Sequence, residues 1–508
     1  MTTVIPESGS ALEYPLPIGD AVDSMAAKSH KRPNNLFCGD NLHILRDHIV
    51  DESIDLIYLD PPFNSKKNFN VIFREDDGTH STSQDLMFRD TWRWNEKSQQ
   101  AYNDLTSTPG KLSELMRALM IFLGPNDLMS YLVMMAPRLQ ELWRVLKPTG
   151  SLYLHCDPTS SHYLKLLMDA IFCTQEGKYV NEVVWCYKSG GASKRHFSRK
   201  HDVLLFYAKS DDYVFNRQTE KSYNRGFKPY RFKGVEEFQD DLGWYTQVGM
   251  KDYWNIDMVG RTSAERMGYP TQKPEALLDR IVTASSNAGD VVLDPFCGCG
   301  TAIEVSQNLN RRWVGIDVTN LAMAVIKQRL ISAFGYDVFK SVRLTGEPVN
   351  IAEALALAEQ DKFGFQCWAV GKLGAPPIEV HRGADRGIDG RIYFYDDLGA
   401  SKQIIVSVKG GEHVGPAFVR ELRGVMDREK AEMGIFVCLK EPTAEMQLEA
   451  KRAESYKSLK GIFPRLQIIT VADIFADKPL NIPGRINPYE RKSQGRIAAP
   501  AEQLRLLP

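Results

Sequence analysis

The chain has 508 residues, with 63 Lys and Arg against 64 Asp and Glu, a net charge of -1 and 43% hydrophobic residues. That length exceeds one ordinary core and predicts two or three domains of a soluble globular protein. No apolar run reads as a membrane span, no basic start with an apolar core marks a secretory leader, and the eight cysteines lack paired spacing, so reduced thiols in a cytoplasm are expected.

Residues 1–34 lack clear periodicity and are expected to form a flexible arm. Residues 54–60 are a short apolar run ending at an acid, read as a strand that runs into Asp60-Pro61-Pro62-Phe63. Two successive prolines suit neither a helix nor a central strand, so the chain must turn rigidly there. Residues 66–125, with Trp92 and Trp94, are polar, aromatic and loop-rich. Residues 129–146 have helical periodicity and 151–157 read as a strand. A basic run follows, Lys188, Lys194, Arg195, Arg199 and Lys200, interleaved with Trp185, Tyr187, His196 and Phe197. A solvated face and a nucleic-acid backbone contact explain that run equally well. Residues 209–261 are a second irregular stretch, before a helix at 274–285, strands at 291–294 and 313–317, and a helix at 320–334. The alternation predicts a mostly parallel α/β sheet covered on both faces, with ligands beyond the carboxyl ends of its strands.

Asp294, Phe296, Gly298, Gly300 and Thr301 belong to a strand, glycine turn and helix start. The two glycines let a ligand approach the backbone, and the helix offers free N–H groups. Asp317, ending the next strand, could accept from ribose hydroxyls. A tight structural turn with a capping Asp is the alternative for this segment alone. Cys297 and Cys299 have no second cysteine pair nearby and read as small turn residues rather than metal ligands. At the earlier loop, an aromatic amino group is a poor nucleophile until its N–H bonds are accepted by a carboxylate and a carbonyl. Asp60 and Pro61 can supply these, and Phe63 can stack on a flipped base.

The two loops together resemble the β group of site-specific DNA amino-methyltransferases over residues 35–344, in which the catalytic motif precedes the cofactor motif. The resemblance implies a Rossmann-like sheet that binds S-adenosylmethionine, with double-stranded DNA as partner, in a prokaryotic, nucleoid-associated, cytoplasmic enzyme. It implies catalytic roles for Asp60, Pro61, Pro62 and Phe63. It places Asp40, Thr271, Gln272, Lys273, Pro274, Asp294, Phe296, Gly298, Gly300, Thr301 and Asp317 at the cofactor. It assigns 66–125 and 209–261 to target recognition, the latter first. In this family Asp at the first catalytic position favours adenine N6, whereas Ser is commoner for cytosine N4, which stays an alternative. A homodimer also stays open.

After a linker at 345–350, residues 351–483 read as a smaller α/β domain, and 484–508 as a flexible tail. Asp389, Ser407 and Lys409 resemble the site of an Mrr-type restriction endonuclease of the PD-(D/E)XK fold, which would use Mg²⁺. Ser407 replaces the usual Glu or Gln. A domain that cuts, making the chain a fused restriction–modification enzyme, and a non-cleaving DNA-binding or assembly domain therefore both remain. The intact motifs count against a third reading, a non-catalytic DNA reader.

Overall fold

The computed structural model describes residues 33–62, 93–189, 193–260, 262–269, 271–375, 387–395, 401–411, 413–458 and 460–483. Phe63, the tail from 484 and the expected arm up to residue 32 lie outside them.

The first domain is built on strands β1 (Asn34–Cys38), β2 (Ile54–Leu59), β3 (Leu146–Cys156), β4 (Lys178–Cys186), β5 (His201–Ala208), β6 (Thr219–Tyr223), β7 (Glu237–Asp240), β8 (Gly243–Gly249), β9 (Tyr253–Asn255), β10 (Val291–Asp294), β11 (Arg312–Asp317) and β12 (Val342–Thr345). Nine form one sheet in the order β12-β1-β11-β10-β2-β3-β5-β4-β9. Pairing is parallel from β12 to β3, antiparallel where β5 meets β3 and β4, and parallel again at β9. The sheet is therefore mixed at the β5–β4 end.

Strand β2, Ile-Asp-Leu-Ile-Tyr-Leu, is almost wholly buried because it is covered on both faces. The pleat sends Ile57 and Leu59 to one core with Leu132, Leu139 and Leu142 of the helix Asp127–Val145. It sends Leu56 and Tyr58 to the other, with Leu277 and Ile281 of the helix Glu275–Ser285.

Two expectations are corrected. Of the stretch expected to be loop-rich, the described part holds the helices Glu96–Ser107 and Lys111–Leu123, and Met116 and Leu119 of the second enter the core. Glu96–Ser107 buries no residue fully, and Lys111–Leu123 leaves Ile121 and Phe122 exposed, so neither shows a clean apolar stripe. Residues 209–261 contain an antiparallel sheet, β6-β8-β7, instead of irregular chain.

The second domain carries β13 (Gly390–Tyr395), β14 (Ser401–Lys409), β15 (Met433–Cys438), β16 (Ser455–Ser458), β17 (Gly461–Pro464) and β18 (Leu466–Thr470), of which β13-β14-β15-β18 form its sheet. Separate apolar clusters cover its two faces. A helix not anticipated, Lys362–Lys372, docks this domain on the helix Asn320–Phe334. A Cβ at Gly371 would meet that of Ala324 at 3.2 Å. Cys367 shares a buried cluster with Leu321, Val325 and Cys299 of the glycine turn.

The expected linker is likewise packed. Thr345 closes β12, and Asn350 caps the helix Ile351–Gln360 through the N–H of Glu353. Between them Gly346 has φ +92°, and a Cβ there would fall 2.0 Å from the Cys38 carbonyl oxygen. Gly346→Val is therefore expected to cost at least about 2 kcal/mol, read as a lower urea midpoint.

Candidate active site

The carboxyl ends of β1, β11, β10 and β2 lie side by side and bring Asp317, Asp294 and Asp60 to one edge of the sheet. A cavity of about 250 Å³ opens there, with the glycine turn on one wall and Asp60-Pro61-Pro62 on another.

Gly298 and Gly300 have φ +48° and +76°, a region that side chains disfavour. A Cβ at 298 would approach the Tyr269 ring to 3.3 Å, and one at 300 would come within 2.8 Å of Ile326. Gly298 thus shapes the cavity wall, whereas Gly300 lets the turn pack on the helix behind it. Asp317 accepts from the Thr319 N–H and hydroxyl, each at 3.0 Å, and from the Gly298 N–H at 2.9 Å. Burial still pushes its carboxyl up to about 6. Asp294 accepts from the Phe296 N–H at 3.1 Å, and burial, with Asp60 and Asp317 nearby, holds it well above the usual carboxylate range.

Asp40 caps the helix Asn41–His48 through the Leu42 N–H and pairs with Arg138 at 2.9 Å. Thr271 has φ +65°, a strained conformation for a β-branched residue worth about 1–3 kcal/mol. Gln272 is committed to the chain itself, accepting from the Met267 N–H and donating to the Glu265 carbonyl. Pro274 precedes the helix Glu275–Ser285. The Thr301 hydroxyl donates to the Lys273 carbonyl at 3.2 Å.

At Asp60, Lys273 Nζ donates to Oδ2. Oδ1 is buried, has no hydrogen-bond partner among the described residues, and lies 4.0 Å from His155 Nδ1. His155 is itself completely buried between Tyr58, whose hydroxyl is 2.9 Å from Nδ1, and Asp202, 3.4 Å from Nε2. Burial, then the charge of Asp60, keeps the Tyr58 phenol protonated. With Asp202 accepting at Nε2, the network assigns Nδ1 as the acceptor of the Tyr58 proton. Burial works against the Asp202 carboxylate, but His155 and Lys273 hold it below the ordinary value.

A family model described as DNA methylase matches residues 54–328. The chain belongs to this family. Two curated relatives are the type II methyltransferase M.HpaI of Haemophilus parainfluenzae, 27% identical over 59% of this chain and 76% of that protein, and the DNA adenine methyltransferase YhdJ of Escherichia coli, 27% identical over 64% and 92%. The solved PvuII DNA methyltransferase (cytosine-N4-specific) is 12% identical, covers 62% of this chain and 97% of its own, and has a TM-score of 0.36. A second family model, NACHT-associated inactive Restriction Endonuclease 1, matches residues 369–465.

In this methylase the basic run separates from the cavity residues. Lys194, Arg195 and Arg199 are exposed beside a fully exposed Phe197, Lys188 pairs with Asp257, and Lys200 folds back onto Ser189. In the second domain Asp389 accepts the Val408 N–H at 2.7 Å, Ser407 is buried, and Lys409 lies 5.3 Å from the Phe418 ring centre. Among the described residues no three His, Cys, Asp or Glu side chains gather as a metal site. One carboxylate already bonded to the backbone and a buried hydroxyl do not fit Mg²⁺, which needs several oxygen ligands.

Sequence reasoning named neither Tyr58 nor Arg138; Tyr269, His155 and Asp202 fall within segments 269–274, 150–157 and 185–202, which the family resemblance places at the cofactor and base pocket, but were not singled out. His155 carried a signal: a polar residue inside the apolar run Leu152-Tyr153-Leu154. Arg138 carried none, because only the tertiary fold brings it to the cavity.

Behind the glycine turn, Arg329 is 1% exposed and pairs with Glu304 and Glu275, with Cys299 Sγ 3.6 Å away. Arg329→Met removes the cation from beside two acids and is expected to cost about 3–5 kcal/mol, with partial recovery in Arg329→Met/Glu304→Gln, measured by thermal melts.

Proposed function

We propose that residues 35–344 transfer a methyl group from S-adenosylmethionine to the exocyclic amino nitrogen of a base rotated out of duplex DNA, with adenine N6 as the target. The observation that carries this reading is the buried, uncommitted Oδ1 of half-buried Asp60, a residue that lines the same cavity as the glycine turn. Asp at the first position of the catalytic loop and the likeness to a relative named as an adenine methyltransferase favour adenine over cytosine N4.

The donor site fits its ligand on three counts. Gly298 leaves a backbone cradle, Asp317 offers carboxylate lone pairs to ribose hydroxyls, and Asp40 stands at the far end of the same wall. The bound donor supplies an electrophilic methyl group on a positively charged sulfur. The protein's part is to make the amino nitrogen a nucleophile. Asp60 Oδ1 accepts one N–H and the Pro61 carbonyl the other, drawing the lone pair out of conjugation with the ring. The nitrogen–methyl bond forms as the carbon–sulfur bond breaks, and the amino proton leaves towards the Asp60 carboxylate. Pro61 and Pro62 make this geometry rigid, so little is lost in organising it. The exposed basic residues Lys194, Arg195 and Arg199 are assigned to the DNA backbone, and 209–261 to reading the target.

For residues 351–483 the reading is a non-cleaving DNA-binding or assembly domain, because Asp389, Ser407 and Lys409 do not provide an Mg²⁺ site. Unmethylated DNA incubated with the protein and Mg²⁺, without methyl donor, is expected to stay intact. Cleavage that disappears in Lys409→Ala would instead establish a fused restriction–modification enzyme.

Asp60→Ala is expected to lower the transfer rate by at least about 10³-fold while donor affinity, measured by calorimetry, changes little. Wild-type turnover in that variant would sink the mechanism. Mapping of modified bases in DNA from cells expressing the chain will show N6-methyladenine in one sequence context if the base assignment is right.

Donor binding will also depend on pH through Asp317. Its carboxyl, lifted to about 6, is protonated below that pH and ionised above it. Because an ionised carboxylate accepts from ribose hydroxyls more strongly than a protonated one, donor affinity is expected to rise from about pH 5 to about pH 7 and then level. Asp317→Asn should flatten that rise.

A further inference from the structure

We infer that Lys273 is a positioning residue for the catalytic carboxylate, where motif position alone would make it a ligand of the methyl donor. The inference rests on the reading of Asp60 given above. Lys273 arrives from a segment with no secondary structure, yet its side chain is only 11% exposed and its ammonium ends on Asp60 Oδ2. The strained Thr271 two residues earlier shapes the turn, and its carbonyl lies 3.4 Å from the same Nζ. Strain of this kind persists only where the surroundings enforce it.

The consequence for Asp60 is chemical. A carboxylate has two equivalent oxygens and can rotate between them. With Lys273 on Oδ2, only Oδ1 is left to accept the amino N–H, so the acceptor is a single atom at a fixed place. The ammonium also faces Asp294 and Asp202, and offsets the accumulation of negative charge around Asp60. At its other end, the Lys273 carbonyl accepts from Thr301, the first residue of the helix after the glycine turn. One residue therefore spans the donor loop and the catalytic acid. Its main chain serves the first and its side chain the second.

The test is a double-mutant cycle in the full-length protein, reading single-turnover methyl transfer and, separately, donor affinity. Lys273→Met is expected to slow transfer on the order of 10- to 100-fold with donor affinity held within about 3-fold. Lys273→Arg, which keeps the charge, should recover part of the rate and guards against a mere folding defect. Asp60→Asn/Lys273→Met should be no slower than Asp60→Asn, because the lysine acts through that carboxylate. The inference is overturned if Lys273→Met transfers within about 3-fold of the parent, if donor affinity falls in step with the rate, or if the double variant loses a further factor. Should Asp60→Asn itself transfer at the parental rate, it is the reading of Asp60 that fails; a slow Asp60→Asn beside a fast Lys273→Met removes only the role of the lysine.

Discussion

The active edge of this methylase depends on holding three carboxylates, Asp60, Asp294 and Asp317, at the ends of adjacent strands around one cavity. Like charges gathered out of water are costly, and each acid is accommodated differently. Asp317 is surrounded by backbone and hydroxyl donors. Burial, with Asp60 and Asp317 close by, holds Asp294 well above the usual carboxylate range. Asp60 stands against an ammonium. Three copies of one residue type thus sit in three different environments: a ring of donors, a desolvated strand end and the side of a lysine. Neighbours create that difference; side-chain chemistry alone does not.

Much of this was legible in the sequence, for reasons that differ along the chain. The strands β2, β10 and β11 announced themselves because a buried parallel strand must be apolar throughout and must stop at a polar turn. The double proline and the paired glycines marked turns because few other residues tolerate them. What stayed hidden was whatever depends on contacts distant in sequence. The Tyr58–His155–Asp202 chain joins three strands, and Arg138 reaches Asp40 from a helix that reads only as core. The two helices within 93–125 were obscured because the first buries no residue fully and the second exposes Ile121 and Phe122, so neither shows a clean apolar stripe.

The second domain shows the same limit from another side. Its helix Lys362–Lys372 contains Gly364 and Gly371, poor helix formers, so local propensity argued against it. The glycine that weakens the isolated helix is what allows close approach to Ala324. Cys367 then closes an apolar cluster against the back of the glycine turn. The second domain is therefore packed against the back of the glycine turn, not a passenger on a tether.

The strand order also governs when this site can exist during synthesis. Strand β1 lies between β11 and β12, and Asn34 accepts a hydrogen bond from the Trp313 N–H, 279 positions away. At about 5–20 residues per second, a ribosome needs on the order of tens of seconds between making those partners. Through much of that interval Asp60 is already synthesised, but the glycine turn across the cavity from it has not been made. The two walls of the cavity can therefore meet only when the domain is nearly complete.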